Sequence, residues 1–188
     1  MKKSRRLLIF IIIAAFAITL GAIQINKSSN KTEAVFLEKY GMKGLSVEEI
    51  VYSLDSTKSD PGGLGASITS EHLVLFDNSE EIKLALPEDK FYLSFAPYIN
   101  QTHPCATHSL SSCQGELVNQ TVNVIITDGK GNEIVNSEMT TMENGFVGVW
   151  LPRNMNASIQ VLYNGLSAQT SISTFSGSNT CLTTLQLS

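Results

Sequence analysis

The sequence predicts an α+β fold, in which a small N-terminal domain of helices and a β-hairpin precedes a mainly antiparallel β-sandwich. Two observations predict this order. Apolar residues recur at helical spacing up to Leu54, whereas from Ala66 onward they alternate with polar residues, which is the period of a half-buried strand. The alternating runs are short and are separated by turns rich in glycine and asparagine, as in a sandwich.

Residues 1–25 are predicted to be a signal peptide or a membrane anchor. Four basic residues within the first six precede an uncharged apolar run from Leu7 to Ile23. A basic segment followed by an apolar one is typical of export signals, and this run is also long enough to remain in a membrane. Basic residues ahead of the run place the rest of the chain outside the cytoplasm in either case. We therefore expect a periplasmic or otherwise extracytoplasmic protein.

Residues 26–88 are predicted to form the N-terminal α+β domain. Its first helix covers residues 32–40, with Gly41 as the expected end. The second helix should begin at Ser46, because Ser46-Val-Glu-Glu49 is a capping box, in which each side chain accepts a hydrogen bond from the other residue's backbone. Two strands, residues 66–76 and 80–86, complete this domain.

Residues 89–188 are predicted to form the β-sandwich, which is the expected metal-binding domain. Asp128–Gly131 and Asn164-Gly165 read as hairpin turns, because glycine and asparagine adopt positive φ at small cost. The predicted strands cover residues 91–96, 117–127, 133–140, 146–151, 158–163, 166–174 and 180–187.

The charge distribution argues against nucleic-acid binding. Without its first 22 residues the chain keeps nine of its 13 basic residues and all 17 acidic ones, which gives a formal net charge of −8. No cluster of lysine or arginine remains to neutralise phosphates. The G-x-S-x-G, HExxH and phosphate-loop motifs are absent from the sequence, so hydrolase and nucleotide-binding chemistry have no residues to support them.

Cysteine and histidine are concentrated in one short segment. The chain has three residues of each type, and two of each lie between residues 101 and 115: His103, Cys105, His108 and Cys113. The third cysteine, Cys181, lies seven residues before the C-terminus. Thiolate and imidazole together suit soft or borderline metals such as Cu(I) and Zn(II). The remaining histidine, His72, lies in a predicted strand far from this segment and is not expected to be a ligand.

The spacing of the cysteines requires a loop. Cys105 and Cys113 are eight residues apart, which spans about 26 Å when extended and about 12 Å as a helix. Neither geometry lets the two sulfurs share a metal or a disulfide, so the segment must double back. His103 would point to the same side as Cys105 at a strand end. Cys181, on the last strand, is expected to approach from across the sandwich.

Three interpretations of these residues are open at this stage. The first is a structural disulfide with one spare cysteine, since exported domains often carry such bonds. The second is a structural zinc site, although the spacing is not a usual C-x2-C pattern. The third is a functional site for copper, in which a pair of thiols would also supply two electrons to reduce Cu(II).

Several blocks of the sequence carry a resemblance to a known family. They are residues 91–98, Gln101-Thr-His103, Cys105, residues 108–111, 113–117, 144–153 and 181–187. These blocks closely resemble the CueP family of periplasmic copper-binding proteins, and the resemblance extends from residue 34 to the C-terminus. Pro104 is a departure from the better-known family pattern, which has an acidic residue there. We expect it to stiffen the backbone between two ligands without removing either.

The resemblance implies a function and a set of residues. It implies copper resistance and delivery of copper to a periplasmic Cu,Zn superoxide dismutase. It also implies a dimer formed through the N-terminal domain, and reduction of cupric ion with re-reduction of the cysteines by disulfide-exchange proteins. The residues that match the family's cysteines and flanking histidines are Cys105, Cys113, Cys181, His103 and His108.

The sequence therefore predicts an exported protein that sequesters Cu(I) through these five residues. Copper is the expected cargo, as Cu(I) and also as Cu(II), with zinc as a substitute. A metal-binding protein or chaperone is expected rather than an enzyme, and no catalytic residue is assigned. The alternative is a thiol-based Cu(II) or Fe(III) reductase, or a thiol–disulfide exchange protein. The third interpretation is a sandwich stapled by a disulfide.

Overall fold

The computed structural model describes residues 31–56 and 62–188. The predicted signal peptide or anchor, residues 1–25, lies outside the described residues. The chain divides into two compact units, one up to Gly44 and one from Leu45 to Ser188. No helix within the described ranges combines the length and the apolar character needed to cross a membrane.

The first unit contains helix α1, residues 31–39. Its C-terminus is the one predicted, because Gly41 has a φ of 71° and stops the helix. The Gly41 N–H donates to the Glu38 carbonyl at 3.2 Å, and the Met42 N–H donates to the Leu37 carbonyl at 2.7 Å. These two bonds satisfy carbonyl groups that the end of a helix otherwise leaves without partners.

The second unit begins with helix α2, Val47–Asp55, and the predicted capping box is present. The Glu49 N–H donates to the Ser46 hydroxyl at 3.2 Å, and the Ser46 N–H donates to the Glu49 carboxylate at 2.7 Å. The helix buries Ile50, Val51 and Leu54 along one face. Its last residue, Asp55, is a fully buried carboxylate at the end of that face.

Eleven strands follow within the described residues. They are β1 Gly65–Ile68, β2 His72–Phe76, β3 Glu81–Ala85, β4 Lys90–Phe95, β5 His108–Ser109, β6 Thr121–Asp128, β7 Glu133–Thr140, β8 Val147–Pro152, β9 Asn156–Tyr163, β10 Leu166–Ser173 and β11 Cys181–Leu182. They form three sheets, with the orders β3-β2-β1-β5, β10-β9-β6-β7 and β11-β4-β8. The α+β fold with a β-sandwich is therefore confirmed.

The N-terminal sheet contains four strands where two were predicted. Residues 66–76 form the hairpin β1–β2 and not a single strand, because Thr69 turns the chain. The Thr69 hydroxyl accepts hydrogen bonds from the backbone of Glu71 at 3.2 Å and of His72 at 2.9 Å. The short strand β5 pairs with β1, with Ile68 opposite His108, so this sheet includes part of the cysteine-containing loop. The boundary between residues 88 and 89 stays a prediction.

The sandwich packs the β10-β9-β6-β7 sheet against the β11-β4-β8 sheet. Phe91, Leu93 and Phe95 of β4 belong to its core, together with side chains of β6, β8 and β9. Alternate residues of a strand face opposite sides, so Tyr92 and Ser94 lie on the other face of β4, and they are buried as well. Strand β4 is therefore buried on both faces. One face packs in the sandwich core, and the other faces the candidate site.

The two predicted hairpin turns are confirmed. Asn164 and Gly165 have φ values of 50° and 81° between β9 and β10, and Gly131 has a φ of 87° between β6 and β7. The predicted C-terminal strand is shorter than expected. Of residues 180–187, only Cys181 and Leu182 pair in a ladder, parallel to β4.

Candidate metal centre

The five predicted side chains converge in two groups that share Cys113. One group is His103, Cys105 and Cys113, and the other is His108, Cys113 and Cys181. Within each group the ligand atoms lie within 4.8 Å of one another. The sulfurs of Cys105 and Cys113 are 3.6 Å apart, and all three cysteines are free thiols.

A tight turn brings Cys113 back to Cys105, as the spacing required. The Leu110 N–H donates to the Ala66 carbonyl at 2.9 Å, which fixes the loop on strand β1. The chain then reverses, and the Cys113 N–H donates to the Ser109 carbonyl at 3.1 Å. The predicted loop geometry is confirmed.

Cys181 enters from a different direction than predicted. It lies on β11 beside Ser94 of β4, within the same sheet. Its neighbour Leu182 packs against the sandwich core, whereas Cys181 packs with Cys113 and Phe146 on the opposite face. The expectation that Cys181 crosses the sandwich is wrong, because the parallel pairing of β11 with β4 turns its side chain outward from the core.

His103 and Cys105 lie in an irregular segment and not at a strand end. The start of this segment is held by Glu116, whose carboxylate accepts backbone hydrogen bonds from Ile99 at 2.7 Å and Asn100 at 2.9 Å. Hydrogen bonds from the Asn100 backbone and side chain, with those from Ile99 and Gln101, lower the pKa of Glu116 to about 2. The ionised carboxylate of Glu116 therefore holds the backbone in place just before His103.

His108 is fully buried and hydrogen-bonded to a buried carboxylate. Its Nε2 lies 2.7 Å from Oδ1 of Asp55, and both side chains have no exposed surface. Its other ring nitrogen, Nδ1, has no hydrogen-bonding partner among the described residues. Burial alone would lower the pKa of His108, but the hydrogen bond to Asp55, with the negative charges of Asp55 and Cys113, raises it to about 9.

Asp55 is a residue of the site that the sequence analysis did not identify. Three side chains besides His108 donate to its carboxylate: Tyr92 at 2.6 Å, Ser94 at 3.3 Å and Asn144 at 2.8 Å. A signal was present in the sequence. Asp55 lies four residues after Val51, so it occupies the apolar face of the amphipathic helix α2, where an unpaired carboxylate would be costly.

The three thiols do not share one protonation state. The neighbouring side chains of Cys181, His108 and His103, with the Ser109 backbone, hold the pKa of Cys113 well below its usual range. The hydrogen bond with Cys113 and burial raise the pKa of Cys181, and burial above all raises that of Cys105. The thiolate form is therefore favoured at Cys113 and disfavoured at Cys105 and Cys181.

Aromatic packing shields the buried half of this cluster. The ring of Phe146 lies 4.7 Å from that of His108 and 6.2 Å from that of His103. His103 and Cys105 are only half-buried, and His103 lines a cleft of about 270 Å³ with Gln114 and Glu116. The cluster therefore has a buried side at His108 and Cys181, and a side open to solvent at His103 and Cys105.

This arrangement fits a soft metal ion. Sulfur and imidazole donors favour Cu(I) and Zn(II), and an apolar shell limits access by water. The unpartnered Nδ1 of His108 is the kind of buried atom that a metal would satisfy. The close pair Cys105 and Cys113 also permits a disulfide after a small side-chain movement, because that bond needs the sulfurs about 2.05 Å apart.

Comparisons with known proteins agree with this chemistry. No curated protein matches the chain. The family model described as periplasmic copper-binding protein CueP matches residues 49–186. A crystal structure of S.CueP is 50% identical in sequence with a TM-score of 0.80, and the match covers 83% of this chain and 97% of that one. The chain belongs to the CueP family of periplasmic copper-binding proteins.

Proposed function

We propose that this protein sequesters Cu(I) in the periplasm, with Cys105, Cys113, Cys181, His103 and His108 as the ligand set. The observation that carries the proposal is the convergence of three free thiols and two imidazoles from distant parts of the sequence. The buried Nδ1 of His108 adds support. It has no hydrogen-bonding partner among the described residues, and a bound metal would supply one.

The protonation states suggest how capture proceeds. Cys113 has a lowered pKa, so it is the cysteine that binds Cu(I) with the least competition from its own proton. Binding then displaces protons from the neighbouring thiols and from His108, since a metal ligand must be deprotonated. The half-buried Cys105 and His103 form the side at which a partner's ligands would take over the ion.

Single substitutions test the ligand set. Cu(I) affinity is measured by competition with a chromogenic chelator for the reduced protein and for Cys105→Ser, Cys113→Ser, Cys181→Ser, His103→Ala and His108→Ala. His72→Gln is the matched control, because His72 lies on β2 outside both ligand groups. Each ligand variant should bind more weakly and the control should not. Equal affinity in all six variants and the wild type would contradict the proposal.

We also propose that the captured copper passes to a Cu,Zn superoxide dismutase and that this supports copper resistance. The exported location and the open side of the cluster favour transfer to a periplasmic protein. Copper-loaded protein mixed with copper-free dismutase should restore dismutase activity faster than the Cu(I)–chelator complex does.

The proposal also includes the signal peptide or anchor in residues 1–25 and a homodimer formed through the N-terminal domain. Size-exclusion chromatography of the purified protein tests the dimer.

A second candidate function is reduction of Cu(II) or Fe(III) by the cysteines. The 3.6 Å separation of the Cys105 and Cys113 sulfurs favours it. Two Cu(II) ions would take one electron each while the two thiols form a disulfide and release two protons. A disulfide-exchange reductase would then restore the thiols. Many turnovers with excess Cu(II) and such a reductant would support this function, and a single stoichiometric oxidation would leave sequestration as the role.

A further inference from the structure

The buried carboxylate of Asp55 has a role that the predicted ligands do not cover. Asp55 ends helix α2 and lies 53 residues before His108 in sequence, yet their side chains meet at 2.7 Å with no exposed surface. An ionised carboxylate has no proton to donate and can only accept hydrogen bonds. The Nε2 of His108 must therefore donate to it. This contact decides which ring nitrogen carries a proton.

The consequence concerns the other ring nitrogen. When His108 is neutral, a proton on Nε2 leaves a lone pair on Nδ1, and that atom has no partner among the described residues. Since Nε2 is engaged by Asp55, Nδ1 is the nitrogen left for the group formed with Cys113 and Cys181. Histidines that bind metals through one nitrogen commonly donate the other N–H to a carboxylate, which fixes the ring and strengthens the ligand.

We propose that Asp55 is the positioning residue of the copper site, holding His108 in the tautomer and orientation that present Nδ1 to the metal beside Cys113 and Cys181. This inference rests on the proposed Cu(I)-binding function and extends it to a residue outside the ligand set. Asp55 does not touch the metal and acts only through the ring of His108.

The surroundings of Asp55 fix its two oxygens separately. Oδ1 receives His108 and the amide of Asn144, whereas Oδ2 receives the hydroxyls of Tyr92 and Ser94. The Asn144 amide also donates to the backbone carbonyl of Asp55 at 2.7 Å, which ties the helix end to the turn before β8. Asn144 therefore holds the oxygen that meets His108, whereas Tyr92 and Ser94 hold the other oxygen.

The competing explanation is that Asp55 only anchors the end of α2. That role would be served by the bonds to Tyr92 and Asn144 alone, and it would not affect the metal. The two roles are separable because Tyr92 binds Oδ2 and not the oxygen that meets His108. Tyr92→Phe removes an anchoring bond in the same buried network while leaving the charge and the His108 contact in place.

The test uses Asp55→Asn, with Tyr92→Phe as the matched control, in the reduced protein. Asp55→Asn keeps the size of the side chain but removes the negative charge. Its Cu(I) affinity should fall about 10- to 100-fold, the range seen when the outer partner of a metal-binding histidine is lost. Tyr92→Phe should stay close to the wild-type affinity even if its unfolding midpoint drops.

Nitrogen-15 and proton NMR of the histidine rings shows which ring nitrogen of His108 binds the metal. A purely structural role of Asp55 would not change that result. In the wild-type protein loaded with Cu(I), His108 should show metal-bound Nδ1 and a deshielded Nε2–H that exchanges slowly. In Asp55→Asn this proton should shift upfield. The wild-type spectrum stands as a test even if Asp55→Asn does not fold, because a metal-bound Nε2 in the wild type would overturn the inference.

The outcomes separate this inference from the proposed function. Wild-type protein that takes up no Cu(I) contradicts the proposed function and the inference with it. Tight wild-type binding with an unchanged affinity in Asp55→Asn contradicts the inference alone. Equal losses in Asp55→Asn and Tyr92→Phe would also overturn it, since they would reflect general damage to the network.

Discussion

The phenol of Tyr92 lies over Gly148, so that a Cβ at Gly148 would overlap the hydroxyl oxygen. The two residues are on neighbouring antiparallel strands, with Gly148 opposite Ser94 in the β4–β8 register. The space left by the missing side chain lets Tyr92 reach Asp55 with a 2.6 Å hydrogen bond. Burial, together with the charge and hydrogen bond of Asp55, raises the pKa of Tyr92, so the phenol remains a donor at neutral pH.

Gly148→Ala should therefore destabilise the protein. The added methyl group meets the Tyr92 ring inside a packed network, and overpacking of this kind costs about 1–3 kcal/mol. Urea unfolding of the metal-free protein measures the change. Gly129→Ala is the matched control, because a Cβ there makes only an ordinary contact at 3.5 Å with the Asn156 carbonyl. Equal stability of the Gly148 variant and the wild type would show that the ring has room to move.

Ser46→Ala tests whether the capping box supports helix α2, which carries Asp55. The substitution removes the hydroxyl that accepts from the Glu49 N–H, and loss of such a cap costs about 1 kcal/mol. The unfolding free energy should fall by that amount. Ser53→Ala on the same helix should be neutral or stabilising, because alanine has the higher helix propensity. A cap variant that is no less stable than Ser53→Ala would argue that α2 does not depend on its N-terminus.

Glu116→Gln should change the pH dependence of stability. The pKa of Glu116 falls from its ordinary 4.5 to about 2 in the folded chain, so its charged form favours folding. That contribution is complete above pH 4.5 and is lost as the pH falls towards 2. The wild type should be more stable than Glu116→Gln at pH 7, and the two unfolding curves should converge at acid pH. A difference that is independent of pH would assign the effect to packing.

Cu(I) affinity should rise with pH across the neutral range. The pKa of His108 is about 9, and those of Cys105 and Cys181 are raised, so protons compete with the metal for these three ligands below that pH. Competition titrations at pH 6, 7 and 8 should show tighter binding at each step, with protons released on metal addition in weak buffer. An affinity that does not vary with pH would mean that none of these three ligands loses a proton when the metal binds.

Much of the fold is readable from local patterns. The capping box at Ser46, the stop at Gly41 and the hairpin at Asn164-Gly165 each depend on a few neighbouring residues, and each is where the sequence predicts it. The hairpin at Thr69 was missed because its turn has no glycine or proline. It depends on one hydroxyl that accepts two backbone hydrogen bonds.

The candidate site is only partly readable in this way. The residue types and their clustering identify the thiols and imidazoles, and the eight-residue spacing already required the loop. Two features depend on long-range pairing that no local pattern encodes. Cys181 reaches the cluster through a parallel ladder with β4, and Asp55 at the end of α2 meets His108 of strand β5.

The central claim is that Cys113 is the shared ligand of one Cu(I) site, since it belongs to both converging groups. The most direct measurement is Cu(I) titration of the reduced wild type and Cys113→Ser against a competing chelator, with free thiols counted before and after loading. The wild type should take up one ion per chain tightly, with loss of accessible thiols, and Cys113→Ser should bind Cu(I) much more weakly. Unchanged affinity in Cys113→Ser would contradict the central claim.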